Sequence, residues 1–113
     1  MGISAGRLRQ RIDFMRLVEN DTGLGGYVDV WTPIAAAVPA EVLGLTGTEA
    51  VREKVLRGIR VYQITTRYRD DLLPKDQLRF GGEDLNVRSI VDPVGRRDRL
   101  VIVADTEGAA KTS

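Results

Sequence analysis

The sequence predicts a small, mainly all-β protein: an antiparallel barrel of five or six strands with one short helix or long loop inserted. Three observations predict it. Short runs such as "RLRQRIDF", "RVYQITTRYR" and "DLNVRSIV" alternate apolar and polar residues. Period two with one apolar face marks a half-buried strand. Clusters of turn-forming residues separate the runs, and one stretch alone, "TGTEAVREKVLRG", has helical spacing. A chain of 113 residues makes one domain, 1–113, and not two. An all-β domain this small solves its edge problem by closing on itself.

The elements follow in order. Residues 1–5 are expected to be flexible. In "GRLRQRIDF", Leu8, Ile12 and Phe14 share one parity, while Arg7, Arg9, Arg11 and Asp13 share the other. This is a strand with a wet arginine face; a nucleic-acid arm would be unpatterned and more densely basic. "ENDTGLGG", residues 19–26, reads as a long flexible loop, too long for a tight hairpin. Pro33 and Pro39 make the apolar stretch after Trp31 an interrupted or edge strand. Thr46 and Glu49 have capping-box spacing, and Gly58 can end the helix that follows.

The strand "RVYQITTRYR" puts Tyr62, Ile64, Thr66 and Tyr68 on one side. Leu78 and Phe80 lead into Gly81-Gly82, a two-residue hairpin turn. Leu85, Val87, Ser89 and Val91 continue on the partner strand, and "DPVG" suits a type I turn. The last strand, through Leu100 to Ala104, reads as buried on both faces. Residues 106–113 are expected to fray.

Composition removes several function classes. The chain has no Cys and no His, so thiol nucleophiles, imidazole bases, disulfides and structural zinc are all excluded. Serine without histidine cannot form a triad. Charged residues are 29% of the chain, yet 17 bases against 16 acids leave a net charge of only +1, unlike a DNA-coating protein. No apolar run approaches a membrane span and no signal sequence opens the chain, so folding in the cytoplasm is expected. "GLGG" precedes no helix and carries no Lys-Ser/Thr, which leaves it a loop and not a phosphate cradle. Glu49 and Glu53 lie four apart without a third ligand. Asp70 and Asp71 read as solvated. No catalytic, metal or cofactor site emerges. A barrel without one works by binding, and its loops are the natural contact surfaces.

One combination of pieces is more specific. "GRLRQRI" is followed by Gly25-Gly26, Trp31, "TGTE" and "RVYQITTRYR". "LRFGGEDLNVRSIVDPVGRRDRL" and a closing strand complete the series. Over residues 6–103 this order resembles the tailed-phage head-closure family, also called head-tail joining or stopper proteins. Gln10 stands where relatives commonly have His, and Leu85 where an aromatic is frequent.

The resemblance implies a homo-oligomeric ring of six or twelve subunits at the neck of a phage, a prophage or a phage-like gene transfer particle. The portal or adaptor would lie above it and the tail or tail terminator below. Double-stranded DNA would pass through its channel without sequence-specific binding. No enzyme activity, cofactor, membrane or small-molecule substrate is implied. In some relatives the loop between the second and third long strands blocks the channel. Here it corresponds to residues 44–59, with Thr46, Thr48, Glu49, Arg52, Glu53 and Arg57 as candidates. The expected subunit and partner contacts are Arg7, Arg9, Arg11, Asn20, Asp21, Leu24, Trp31, Arg96 and Arg97. Two alternatives remain at this stage. One is a tail-terminator or tail-completion protein at the same joint. The other is an OB-type nucleic-acid-binding barrel, which would need exposed aromatics although only 5% of residues are aromatic.

Overall fold

β1 (Gln10–Asp21) and β2 (Tyr27–Gly44) form a hairpin far longer than periodicity alone suggests. The computed structural model describes residues 5–108. β3 (Val61–Arg67), β4 (Gln77–Phe80), β5 (Glu83–Val91) and β6 (Arg99–Asp105) complete a closed antiparallel barrel in the order β1-β2-β3-β6-β5-β4. A short helix, α1 (Glu49–Leu56), sits between β2 and β3. The all-β barrel with one inserted helix therefore forms as the sequence predicts.

Inward parity builds the core. Ile12, Phe14, Ile64, Leu78, Leu85 and Ile102 are fully buried inside the barrel. Burying each such side chain contributes about 1.5–3 kcal/mol. Thr66, also fully buried, continues the Tyr62–Ile64 parity of β3. Phe80 pairs with Glu83 across Gly81-Gly82, and both glycines have positive φ, 58° and 82°. Two successive left-handed residues are what a twist-matched hairpin turn requires.

Several expectations are corrected. The 19–26 loop is shorter, because β1 stays paired to Asp21, opposite Tyr27. Only residues 22–26 turn, closed by the Thr22 N–H donating to the Gly26 carbonyl at 2.9 Å. β2 is not interrupted at either proline, but it is an edge there, as the edge-strand alternative has it. Pro33 and Pro39 lie where β2 pairs with β1 alone, since β3 joins only from Ala40. Neither proline is therefore asked to donate to a second neighbour.

The strain appears as register shifts around Phe14 and as Ala37 at φ 53°. The Ala37 N–H is taken by the Asp13 carboxylate at 2.8 Å. A similar shift between Val87 and Ser89 reverses parity in β5, so Ile90 turns inward and Val91 outward. In β6, Val101 and Val103 are half-buried and not buried. Thr106 and Glu107 are bonded: the Thr106 N–H donates to the Arg60 carbonyl at 3.1 Å and the Glu107 N–H to Asp105 at 3.0 Å. The expected fraying does not reach these two. Gly108 follows as an exposed turn residue; residues 109–113 and 1–4 lie outside the described residues.

The Cα radius of gyration is 15.2 Å, with extents of 50 × 36 × 23 Å. A compact chain of this length would have about 13 Å. The β1–β2 hairpin runs past the barrel as a two-stranded arm beyond Met15, the last β1 residue paired with β4.

Candidate functional site

The barrel has two dissimilar ends. β3 starts beside α1 and ends at Arg67, which pairs with Arg99 at the start of β6. The arm, the residue 68–76 connector and the β5–β6 turn therefore share one end. α1, Gly81-Gly82 and residues 106–108 share the other.

At the first end, the arm carries wet apolar residues. Leu17, Leu24, Tyr27, Val28 and Val30 are all exposed, Leu24 to 93%. Directly opposed residues share a face. One face pairs Leu17 with Trp31, Glu19 with Asp29 and Asp21 with Tyr27; the other pairs Val18 with Val30 and Asn20 with Val28. The base is firm. Arg16 makes a bidentate bridge to Asp76, whose side chain is fully buried, at 2.9 and 2.8 Å, and also donates to the Asp71 carbonyl at 2.7 Å. Arg69 pairs with Asp71 and stacks over the Phe14 ring, 5.3 Å from its centre. The Arg69 bond holds the Asp71 carboxyl below the usual carboxylate range. The reading of Asp71 as merely solvated is corrected.

Across the barrel at the same end lies the β5–β6 turn. Asp92 shapes it by accepting from the N–H groups of Gly95 and Arg97 at 3.0 Å each. The Arg96 and Arg97 side chains are exposed, as are Val91 and Val94.

At the second end, α1 is capped by Thr48, whose hydroxyl accepts from the Val51 N–H at 3.2 Å. The cap is Thr48 and not Thr46, and with Val51 at the third helical position the expected reciprocal box does not form. Gly58, at φ 80°, closes the helix through its N–H to Val55 and that of Ile59 to Lys54, both 3.0 Å. No residue of α1 is buried. Charges hold it instead. Lys54 Nζ reaches Asp105 at 2.7 Å, and Arg57 reaches Glu107 at 3.2 Å. Asp105, fully buried, also takes a fork from Arg88 at 2.8 and 3.1 Å.

Burial pushes the Asp105 carboxyl up, but the bonds from Arg88 and Lys54 outweigh it and leave the group below the usual range. Arg60 pairs with Glu83, which also accepts from the Tyr62 hydroxyl at 3.1 Å. Beneath α1 runs an apolar groove of about 400 Å³ lined by Leu45, Val55, Ile59 and Val61 among others.

The channel candidates Thr46, Thr48, Glu49, Arg52, Glu53 and Arg57 are all exposed on or beside α1. Of these, Arg57 pairs within its own chain. Among the contact candidates, Arg7 bridges Glu41 at 2.8 Å, and this bond draws the Glu41 carboxyl down. Arg9 donates to the Gly6 carbonyl and Arg11 to those of Leu8 and Gln10, so both are exposed yet tethered. Asn20, Asp21, Leu24 and Trp31 fall together on the arm.

Sequence reasoning missed Glu19, Tyr27 and Asp29 on that arm, and the Lys54–Asp105–Arg88 node. Pairing arithmetic about Leu24 would have found the first three, since opposed positions there sum to 48. Among the described residues, no three acids converge as a metal site would require.

The fold has solved relatives. The solution structure of protein SF1141 from Shigella flexneri 2a superposes with a TM-score of 0.68 at 22% identity, covering 94% of this chain and 98% of that one. A chain of the virion of a native gene transfer agent particle gives 0.60 at 18% identity, covering 92% and 98%. No curated protein sequence matches significantly. The model of one family, described as phage head completion protein, matches residues 3–107. The chain thus belongs to the phage head completion protein family and is a structural component of the virion, with its role at the head and neck.

Proposed function

We propose that this chain is a ring-forming head-closure subunit, which joins the portal or adaptor to the tail and closes the DNA channel after packaging. The observation that carries the reading is the arm. A closed barrel has no edge to offer, yet this one extends a hairpin with wet apolar residues and unpaired edges beyond its rim. Monomeric proteins seldom maintain such a surface. A ring needs two different surfaces on each subunit, and the barrel end supplies the second.

α1 is the channel segment of this reading. It docks through ion pairs whose cations are partly exposed, with none of its own residues buried, so it can leave the barrel at low cost. Its outward side carries Glu49 and Glu53, which repel a passing duplex and oppose the retention that phosphate contacts would cause.

Deleting the gene and imaging the particles tests the proposal. Filled or leaking heads beside separate, complete tails are expected. Normal tailed particles would refute it, and overlong tails would identify a tail terminator instead.

A further inference from the structure

We propose that the acidic face of the arm docks on the β5–β6 turn of a second copy of this chain. The proposal rests on the ring reading and names the contact that would close it.

The first ground is a conflict inside the arm. Glu19 and Asp29 stand directly opposite each other on one face, with Asp21 next along it. Like charges in opposed strand positions destabilise a hairpin. Neither Glu19 nor Asp29 has an ion-pair partner among the described residues, although ten salt bridges are present among them. Tyr27 shares that face, two-thirds exposed. Two carboxylates beside an aromatic ring form a seat for a guanidinium.

The second ground is the complement. Arg96 and Arg97 are exposed on the β5–β6 turn, and neither side chain forms an ion pair among the described residues, Asp92 bonding only the Arg97 backbone N–H. Val94, beside them, is about half exposed and matches the apolar rim of the arm. Both surfaces thus offer charge of opposite sign next to unburied carbon.

The third ground is position. Arm and turn lie at the same end of the barrel. In the order β1-β2-β3-β6-β5-β4, the arm rises from the β1–β2 side and the turn from the β6–β5 side, across the barrel. A rotational ring brings one side of a subunit against the other side of its neighbour at the same height. Two arms meeting each other would instead set acids against acids.

The protein has no cysteine, so engineered thiols report the contact cleanly. Full-length Asp29→Cys and Arg96→Cys variants are mixed, oxidised and compared with each variant alone; sedimentation of the cysteine-free protein is run in parallel. The expected result is a heterodimer from the mixture, little dimer from either alone, and a ladder from the double variant. Glu19→Arg with Asp29→Arg should weaken self-association at least about tenfold, or about 1.4 kcal/mol. Adding Arg96→Glu and Arg97→Glu to the same chain should restore it, which a simple folding defect would not allow.

Self-association without an Asp29–Arg96 crosslink, or a dominant Asp29–Asp29 dimer, overturns this interface and leaves the ring reading standing. Absence of any self-association, both free and in particles, overturns both.

Discussion

Replacing Asp105 by Asn tests whether charge or packing fastens the α1 end of the barrel. Asn keeps the shape and one acceptor but removes the negative charge. Three side-chain donors converge on this carboxylate: Arg88 Nε, Arg88 Nη2 and Lys54 Nζ. Charge-assisted bonds of this kind contribute roughly 1.5–3 kcal/mol each, and breaking a fully buried pair costs about 3–5 kcal/mol. Here the acid is buried, but the Lys54 and Arg88 side chains are 27% and 39% exposed and regain water when released.

The net loss is therefore about 2 kcal/mol. With a urea slope of about 1.5 kcal/mol per molar, the midpoint falls by somewhat over 1 M at pH 7, and the slope itself is unchanged. Folding lowers the Asp105 pKa, so its stabilisation is complete above the unfolded value near 4 and is lost as pH falls through the folded value. The gap between wild type and D105N should narrow below about pH 4. Coincident midpoints at pH 7, or a gap that stays constant into acid, would refute the reasoning.

Two further outcomes follow from the same geometry. Arg16→Ala strands the buried Asp76 carboxylate and should cost about 3 kcal/mol, lowering the thermal midpoint by roughly 10–15 °C in calorimetry. Lys54→Ala leaves Asp105 its Arg88 fork, so the barrel should lose less than about 1 kcal/mol; amides of residues 50–58 should lose hydrogen-exchange protection while those of β3 and β6 keep it.

How much of this was legible depended on whether one face was dry. β3 is plain in the sequence because Tyr62, Ile64 and Thr66 all turn inward. β1 is plain only as far as Phe14. Beyond Met15 the arm is largely wet on both faces, so Glu19, Asn20 and Asp21 show no alternation and read as loop. The β5 shift at Arg88 is invisible for a related reason, since one extra residue reverses parity without changing composition. α1 was visible through its stop signal at Gly58, but two threonines competed for the cap and spacing alone chose the wrong one. The Asp105 node had no local signal. Its cations lie 17 and 51 residues away, and only barrel closure brings them together.

A net charge of +1 therefore describes this protein poorly. At the α1 end, most acids and bases neutralise one another within the chain, Arg60 with Glu83, Arg88 and Lys54 with Asp105, Arg57 with Glu107, while Glu49, Arg52 and Glu53 stay exposed on α1. At the arm end, charge of each sign is left over and kept apart. Glu19 and Asp29 lie on one side of the barrel, Arg96 and Arg97 on the other, with no ion pair joining them among the described residues. In the proposed contact between two copies, the same groups would come within the roughly 8 Å over which exposed charges act at physiological salt. In the proposed ring, the charge left over at each arm end would be met by the neighbouring subunits. Each subunit added to the proposed ring would expose the same unmet pair until the ring closed. Electrostatics of this kind sets direction and register more than strength; in the proposed contact, the exposed carbon of Tyr27, Leu24 and Val94 would supply the burial that holds the subunits in place.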